Sequence, residues 1–271
     1  MKKTLRLEIE QNIIALNADI VYQQNPGWCA ATNRPLYLSL LRPRSYFSYD
    51  PNEKYPLVIM ICGGGFQGVD HNVWIPEMVY FAKQGFSVAC IGYSVEHDSH
   101  YPQPEIETKA AIRYLRAHAD ELHIDANKIA VMGESAGAYL AEFTGLTNGR
   151  KEFEKGDFLD QDSSVQAVVV WYPPIGIWAE DDVPDETNSK MNELPDVRTF
   201  ITKDCPPFLI FHGTGDTVVP PRQGEALYEA LQEKGIESDL YLLEGAEHGD
   251  QHFVQKEVKA LMLDFLKKHL K

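Results

Sequence analysis

The chain has 271 residues, 44% hydrophobic and 24% charged, enough for one large α/β domain with a sizeable core. Its 40 acidic and 25 basic side chains leave a net charge of −15, which argues against nucleic acid or an anionic membrane as partner. The start is basic, but Arg6, Glu8 and Glu10 interrupt any apolar core of a secretory leader. No run is apolar and long enough to span a membrane. Cys29, Cys62, Cys90 and Cys205 show no metal-site spacing, so a reducing, cytoplasmic location is expected.

Residues 1–50 read as short strands and turns. Leu5 to Ile9 alternates, Ile13 to Val21 is mixed, and Leu36 to Leu41 is a strand candidate. Asn25-Pro26-Gly27 and Asn33-Arg34-Pro35 punctuate them, so antiparallel edge strands are expected. Pro56 to Cys62 is a continuous apolar run, the mark of a strand buried on both faces. It ends in Cys62-Gly63-Gly64-Gly65-Phe66, where the glycines let backbone N–H groups turn toward a ligand. Gly63, Gly65 and Gly68 also fit the G-x-G-x-x-G phosphate pattern. Its context fails, because no acidic residue ends the next strand at Cys90-Ile91-Gly92 and no Walker Gly-Lys-Ser/Thr occurs. A tight turn without a ligand is the plain alternative.

Residues 73–84 read as a helix, with Val73, Trp74, Met78, Phe81 and Ala82 available for its buried face. Phe86 to Ile91 is the next strand. The loop after it carries His97, Asp98 and His100, which are metal-ligand types, although solvated loops share this composition. Pro104 to Ala119 reads as a helix on which His118 has a structural place.

Ile129 to Met132 then leads into Gly133-Glu134-Ser135-Ala136-Gly137, and small, helix-forming residues follow. This is G-x-S-x-G with a strand before it and a helix after it. The sharp turn pushes the Ser135 hydroxyl out of the sheet and leaves the Ala136 N–H at a helix N-terminus, where it can stabilise an oxyanion.

Val165 to Trp171 is another buried strand, closed by Tyr172-Pro173-Pro174. Residues 175–204 are polar and acidic and break the rhythm, so a small cap over the pocket is expected there. Trp171, Tyr172, Ile177 and Trp178 would line it, or would simply pack it onto the body. Pro207 to Phe211 is the next strand and runs into His212-Gly213-Thr214-Gly215-Asp216. A helix at 221–234, the strand Leu240 to Leu243, the loop Glu244 to Asp250 and a helix at about 252–270 complete the chain. The alternation calls for α/β architecture in a single domain, 1–271, with a mostly parallel central sheet covered by helices.

A serine hydroxyl needs a base, and the base needs an orienting acid. In this architecture both sit on loops after later strands. Asp216 and His248 occupy such places, giving the order Ser, Asp, His of the α/β-hydrolases. Asp204 and Asp250 are rival acids, and His212 and His252 rival bases. His212 ends a buried strand, which suits a structural hydrogen bond better.

With these motifs in view, residues 36–270 resemble the α/β-hydrolase esterase/lipase group. The likeness is to the hormone-sensitive-lipase-like and feruloyl/acetyl-xylan-esterase-like carboxylesterases. Gly133-Glu134-Ser135-Ala136-Gly137 matches the G-[DE]-S-A-G elbow, and His212-Gly213-x-x-Asp216-x-x-Val219-Pro220 matches the acid loop. Cys62-Gly63-Gly64-Gly65-Phe66 resembles the H-G-G-G-[FW] loop, and Tyr93 through Tyr101-Pro102 loosely resembles a further segment. The resemblance implies an α/β-hydrolase fold with antiparallel N-terminal strands and a small cap insertion. It implies Ser135 as nucleophile, His248 as base and then acid, and Asp216 as orienter. Gly64, Gly65 and Ala136 N–H groups would form the oxyanion hole, with Phe66, Trp171, Tyr172 and Trp178 near substrate. Cys62 stands where the group usually has histidine. The reaction expected is hydrolysis of short acyl esters, including acetyl esters of carbohydrates, with a small-molecule ester as partner and no cofactor or metal. An amidase or peptidase on the same triad, and a silent binding module, are the other readings.

Overall fold

The computed structural model describes residues 1–8, 12–26, 32–44, 50, 52–95, 100–176 and 194–271. The described strands are β1 (Ile13–Pro26), β2 (Asn33–Arg44), β3 (Tyr55–Ile61), β4 (Ser87–Ile91), β5 (Ile124–Glu134), β6 (Ala167–Trp171), β7 (Phe208–Gly213) and β8 (Ser238–Leu243). They form one 8-stranded sheet in the order β1-β2-β4-β3-β5-β6-β7-β8. β1 is antiparallel to β2, and β2 to β4; every pair beyond is parallel. The helices are α1 (Ile75–Lys83), α2 (Gln103–Ala117), α3 (Ala136–Leu146), α4 (Pro221–Glu233) and α5 (Lys256–Leu270).

Strand periodicity explains the uninterrupted apolar runs. Side chains alternate between faces, so a strand covered on both sides must be apolar throughout. Leu57, Ile59 and Ile61 of β3 join Ile129, Val131, Val168 and Val170 in one core, with Ile112, Phe143 and Leu227 from α2, α3 and α4. Val58 and Met60 join Ala130, Met132, Val169 and Trp171 in the other, with Phe81 and Met262 from α1 and α5. Helices therefore cover both faces.

From β3 the chain passes to β4 on one side and to β5 on the other. A crevice opens where the strand order diverges in this way, at the carboxyl ends of the strands. The glycine loop after β3 and the serine turn after β5 both lie there.

Three sequence expectations shift. Residues 1–8 form no strand, and Leu5 and Leu7 are exposed, so their alternation meets no sheet to pack against; Ile9 is outside the described residues. Pro26 and Pro35 sit inside the hairpin strands, not in turns between them; an outer pair of strands tolerates proline better than a central one. The last helix is broken, because Asp250 caps a short 3-10 turn, Gln251–Val254, before α5 begins.

α2 also buries charge. Lys109 and Arg113 both reach the Glu154 carboxylate. Glu105 is fully buried, and its two carboxyl oxygens have no hydrogen-bond partner among the described residues. Burial, with a smaller push from the Glu107 charge, raises the Glu105 carboxyl to about 8. The acid is bound to its proton in the folded chain and ionised in the unfolded one across that interval. This contribution to stability is complete below pH 4.5 and is lost as pH rises towards 8, by up to about 1.4 kcal/mol per pH unit. Urea unfolding at pH 5, 7 and 9 should show that fall, and Glu105→Gln should flatten it; equal slopes in both proteins would contradict it.

Candidate active site

Ser135 stands between β5 and α3 with φ 53° and ψ −124°, a strained conformation for a residue with a side chain. Helix α3 starts at the next residue. A Cβ on Gly137 would lie 2.2 Å from the Ile61 carbonyl oxygen, so only glycine lets α3 close against β3. The second glycine of the motif is thus a packing requirement. The strain it permits lifts the serine hydroxyl off the sheet edge.

His248 arrives on the loop after β8. Its Nε2 lies 2.9 Å from Ser135 Oγ and its Nδ1 lies 2.8 Å from Asp216 Oδ2. The other oxygen of Asp216 accepts the N–H groups of Val218 and Val219, each at 2.9 Å. Burial pushes the Asp216 carboxyl up and is the largest single influence. The His212 imidazole 3.6 Å away, the hydrogen bond and charge of His248 and the Val219 N–H together outweigh it, and hold the group well below the usual carboxylate range. An ionised Asp216 only accepts, so His248 Nδ1 carries the proton and Nε2 is left to accept from the serine hydroxyl. The three side chains expected from the sequence therefore meet in one chain of hydrogen bonds.

The rival residues are placed elsewhere. Asp204 is exposed. Asp250 pairs with His252 at 3.0 Å within its own turn. His212 is fully buried and its Nε2 donates to the Val219 carbonyl at 2.8 Å, which steadies the loop that carries Asp216.

The glycine loop is anchored by a group that the motif leaves unspecified. Glu134, the variable position before Ser135, accepts the Gly63 N–H and, at 3.1 Å, the Trp74 indole N–H. With Gly63 engaged in this way, Gly64 and Gly65 are the next N–H groups along the loop. Gly64 has φ 127°, and a Cβ there would lie 2.0 Å from the Gly68 carbonyl oxygen. Ala136 is the first residue of α3, where an N–H has no intrahelical acceptor. On the other side, Tyr93 donates its hydroxyl to the Cys62 carbonyl at 3.0 Å. Cys62 itself is a free, buried thiol whose pKa burial pushes up to about 12, so it stays protonated and inert. Glu134→Ala should lower kcat about 10–100-fold by loosening the loop, whereas Glu134→Gln keeps an acceptor oxygen and should retain most activity. Steady-state rates of the two variants check this; equal losses would contradict it.

The aromatic contacts expected near substrate need correction. Trp171 is 1% exposed and packs on Trp74 and Phe253, because it points into the core face shared with α5. Phe66 is buried edge-on between Tyr93 and Tyr139. Neither offers a wall to a ligand. Tyr172 is also buried, but its ring lies 4.4 Å from that of His248, so it steadies the base. Ile177 and Trp178, with the cap segment 177–193, lie outside the described residues, as do His97 and Asp98. His100 is exposed. Among the described residues no group of three His, Cys, Asp or Glu side chains could hold a metal.

The strand order, the strained serine turn and the acid and base loops define an α/β-hydrolase fold of the esterase type. Residues 46–231 match the BD-FAE family, and the chain belongs to it. That match includes Ser135 and Asp216 and ends before His248. Esterase LipC of Mycobacterium tuberculosis is 29% identical over 223 residues, covering 73% of this chain and 54% of its own. The chain spans about half the length of this and comparable curated relatives. Among solved structures, a truncated carbohydrate esterase from gut microbiota superposes with TM-score 0.78 at 24% identity, over 96% of this chain and 97% of that one. Thermogutta terrifontis esterase 2, phosphorylated by paraoxon, gives TM-score 0.76 at 25% identity, over 93% and 94%.

Proposed function

We propose that the protein is a serine carboxylesterase acting on short acyl esters, with acetyl esters of carbohydrates as the substrate class. The observation that carries this reading is the single hydrogen-bonded line from Ser135 through His248 to Asp216. His248 takes the proton of Ser135 as the hydroxyl attacks the ester carbonyl. The resulting oxyanion is held by N–H groups of Gly64, Gly65 and Ala136. His248 then gives its proton to the departing alcohol, and a water activated by the same nitrogen cleaves the acyl-enzyme. Asp216 keeps the imidazole in the required tautomer throughout. The fold neighbour from gut microbiota supports the carbohydrate part, and the relative from Mycobacterium tuberculosis supports the ester part. The cytoplasmic location expected from the cysteine spacing is part of the same proposal.

The test is hydrolysis of p-nitrophenyl acetate, butyrate and octanoate, together with acetylated xylo-oligosaccharides. Acetate should be turned over fastest, and acetate should be released from the sugar. A preference for octanoate would overturn the short-acyl preference. Turnover of no ester by folded protein would favour an amide substrate or a silent binding module.

A further inference from the structure

β7 carries a histidine in a row that is otherwise apolar. Strand alternation turns Phe208, Ile210 and His212 to the same face, and the first two enter the core that Leu227 and Leu231 of α4 share. His212 is fully buried at the end of that row. Its Nε2 donates to the Val219 carbonyl at 2.8 Å; a carbonyl only accepts, so this nitrogen carries a proton. Its Nδ1 has no hydrogen-bond partner among the described residues. That nitrogen faces Gly224 in the first turns of α4, where a Cβ would lie 2.6 Å from it.

Two of these features are unfavourable in themselves. A buried nitrogen without a partner lowers stability, and so does glycine inside a helix where alanine could stand. An apolar residue at 212 and alanine at 224 would remove both penalties. Local rules broken together at one point mark residues kept for what they do elsewhere.

What His212 reaches is the acid of the site. The Val219 peptide is gripped at both ends, its carbonyl by His212 and its N–H by Asp216 Oδ1 at 2.9 Å. Asp216 Oδ2, which receives His248 Nδ1, lies 3.6 Å from His212 Nε2. The line from Ser135 through His248 to Asp216 therefore continues through Val219 to a ring wedged between β7 and α4.

We propose that His212 is a positioning residue for Asp216, and that Gly224 is the space that admits its ring. Without the His212 donor, Val219 and Asp216 shift together, and His248 loses its alignment on Ser135. The effect on ester turnover rests on the esterase reading above; the placement of Asp216 does not.

The test compares His212→Ala, His212→Gln and Gly224→Ala, each in the parent and in Asp216→Asn. The readouts are p-nitrophenyl acetate turnover and the rate at which a fluorophosphonate labels Ser135. His212→Ala should lower kcat about 30–100-fold, with KM within about threefold. His212→Gln, whose amide nitrogen reaches the place of Nε2, should stay within about fivefold of the parent. In Asp216→Asn, His212→Ala should cost less than about threefold, because the group it positions is gone. Gly224→Ala should lower the rate about tenfold in the parent and less than about twofold once His212 is alanine. Should His212→Ala fail to fold, Gly224→Ala with and without Asp216 makes the same comparison. A folded His212→Ala within about threefold of the parent rate, or equal losses with and without Asp216, overturns the positioning role even where ester turnover stands. A Gly224→Ala loss that is the same with and without His212 overturns the place given to Gly224. Labelling rates that follow the expected pattern without turnover of any ester would overturn the esterase reading and leave the positioning role standing. No label on Ser135 of the folded parent would overturn both.

Discussion

Ser135→Ala is expected to lower kcat for p-nitrophenyl acetate by about 10⁶-fold while leaving the fold intact. Alanine removes the one oxygen that His248 Nε2 faces at 2.9 Å, and no acyl-enzyme can then form. The backbone conformation at this position is strained whichever of the two residues occupies it, so stability should change little. Residual hydrolysis should come from the oxyanion donors and from binding alone. A rate within tenfold of the parent would mean that another group attacks the ester.

Asp216→Asn should cost about 10⁴-fold in kcat with far less change in KM. The amide is nearly isosteric, yet it offers an N–H to His248 where the carboxylate offered only acceptors. The imidazole would then turn its proton-bearing nitrogen toward Ser135 and lose its role as base. The substitution also removes a stability contribution. The Asp216 carboxyl is held below its ordinary range, so its contribution is full above that range and is lost as pH falls through the folded value. Unfolding measured between pH 7 and pH 3 should therefore show a shallower acid loss in Asp216→Asn. A smaller kcat effect, comparable to that of Glu134→Ala, would reduce Asp216 to a loop anchor.

Much of this arrangement was legible from residue order because its causes are local. A strand buried on both faces is apolar throughout, so β3, β6, β7 and the Ile129–Met132 stretch of β5 announce themselves. The Ser135 turn needs Gly137 for a close approach to β3 that no side chain allows. Asp216 and His248 follow successive strands, and the sheet brings their loops together. What the sequence hid depends on contacts between distant segments. Glu134 occupies a position the motif leaves free, and its partners Gly63 and Trp74 lie 71 and 60 residues away. Trp171 has the composition of a pocket wall, but strand alternation sends it to the core beside Val169. Leu5 and Leu7 alternate like a strand without a neighbour to pair with.

The most direct measurement is mass spectrometry of the folded protein after reaction with a fluorophosphonate, followed by peptide mapping. The account predicts one adduct, on Ser135, absent from Ser135→Ala and formed far more slowly in Asp216→Asn. An adduct on another residue, or none on a folded parent protein, would contradict it.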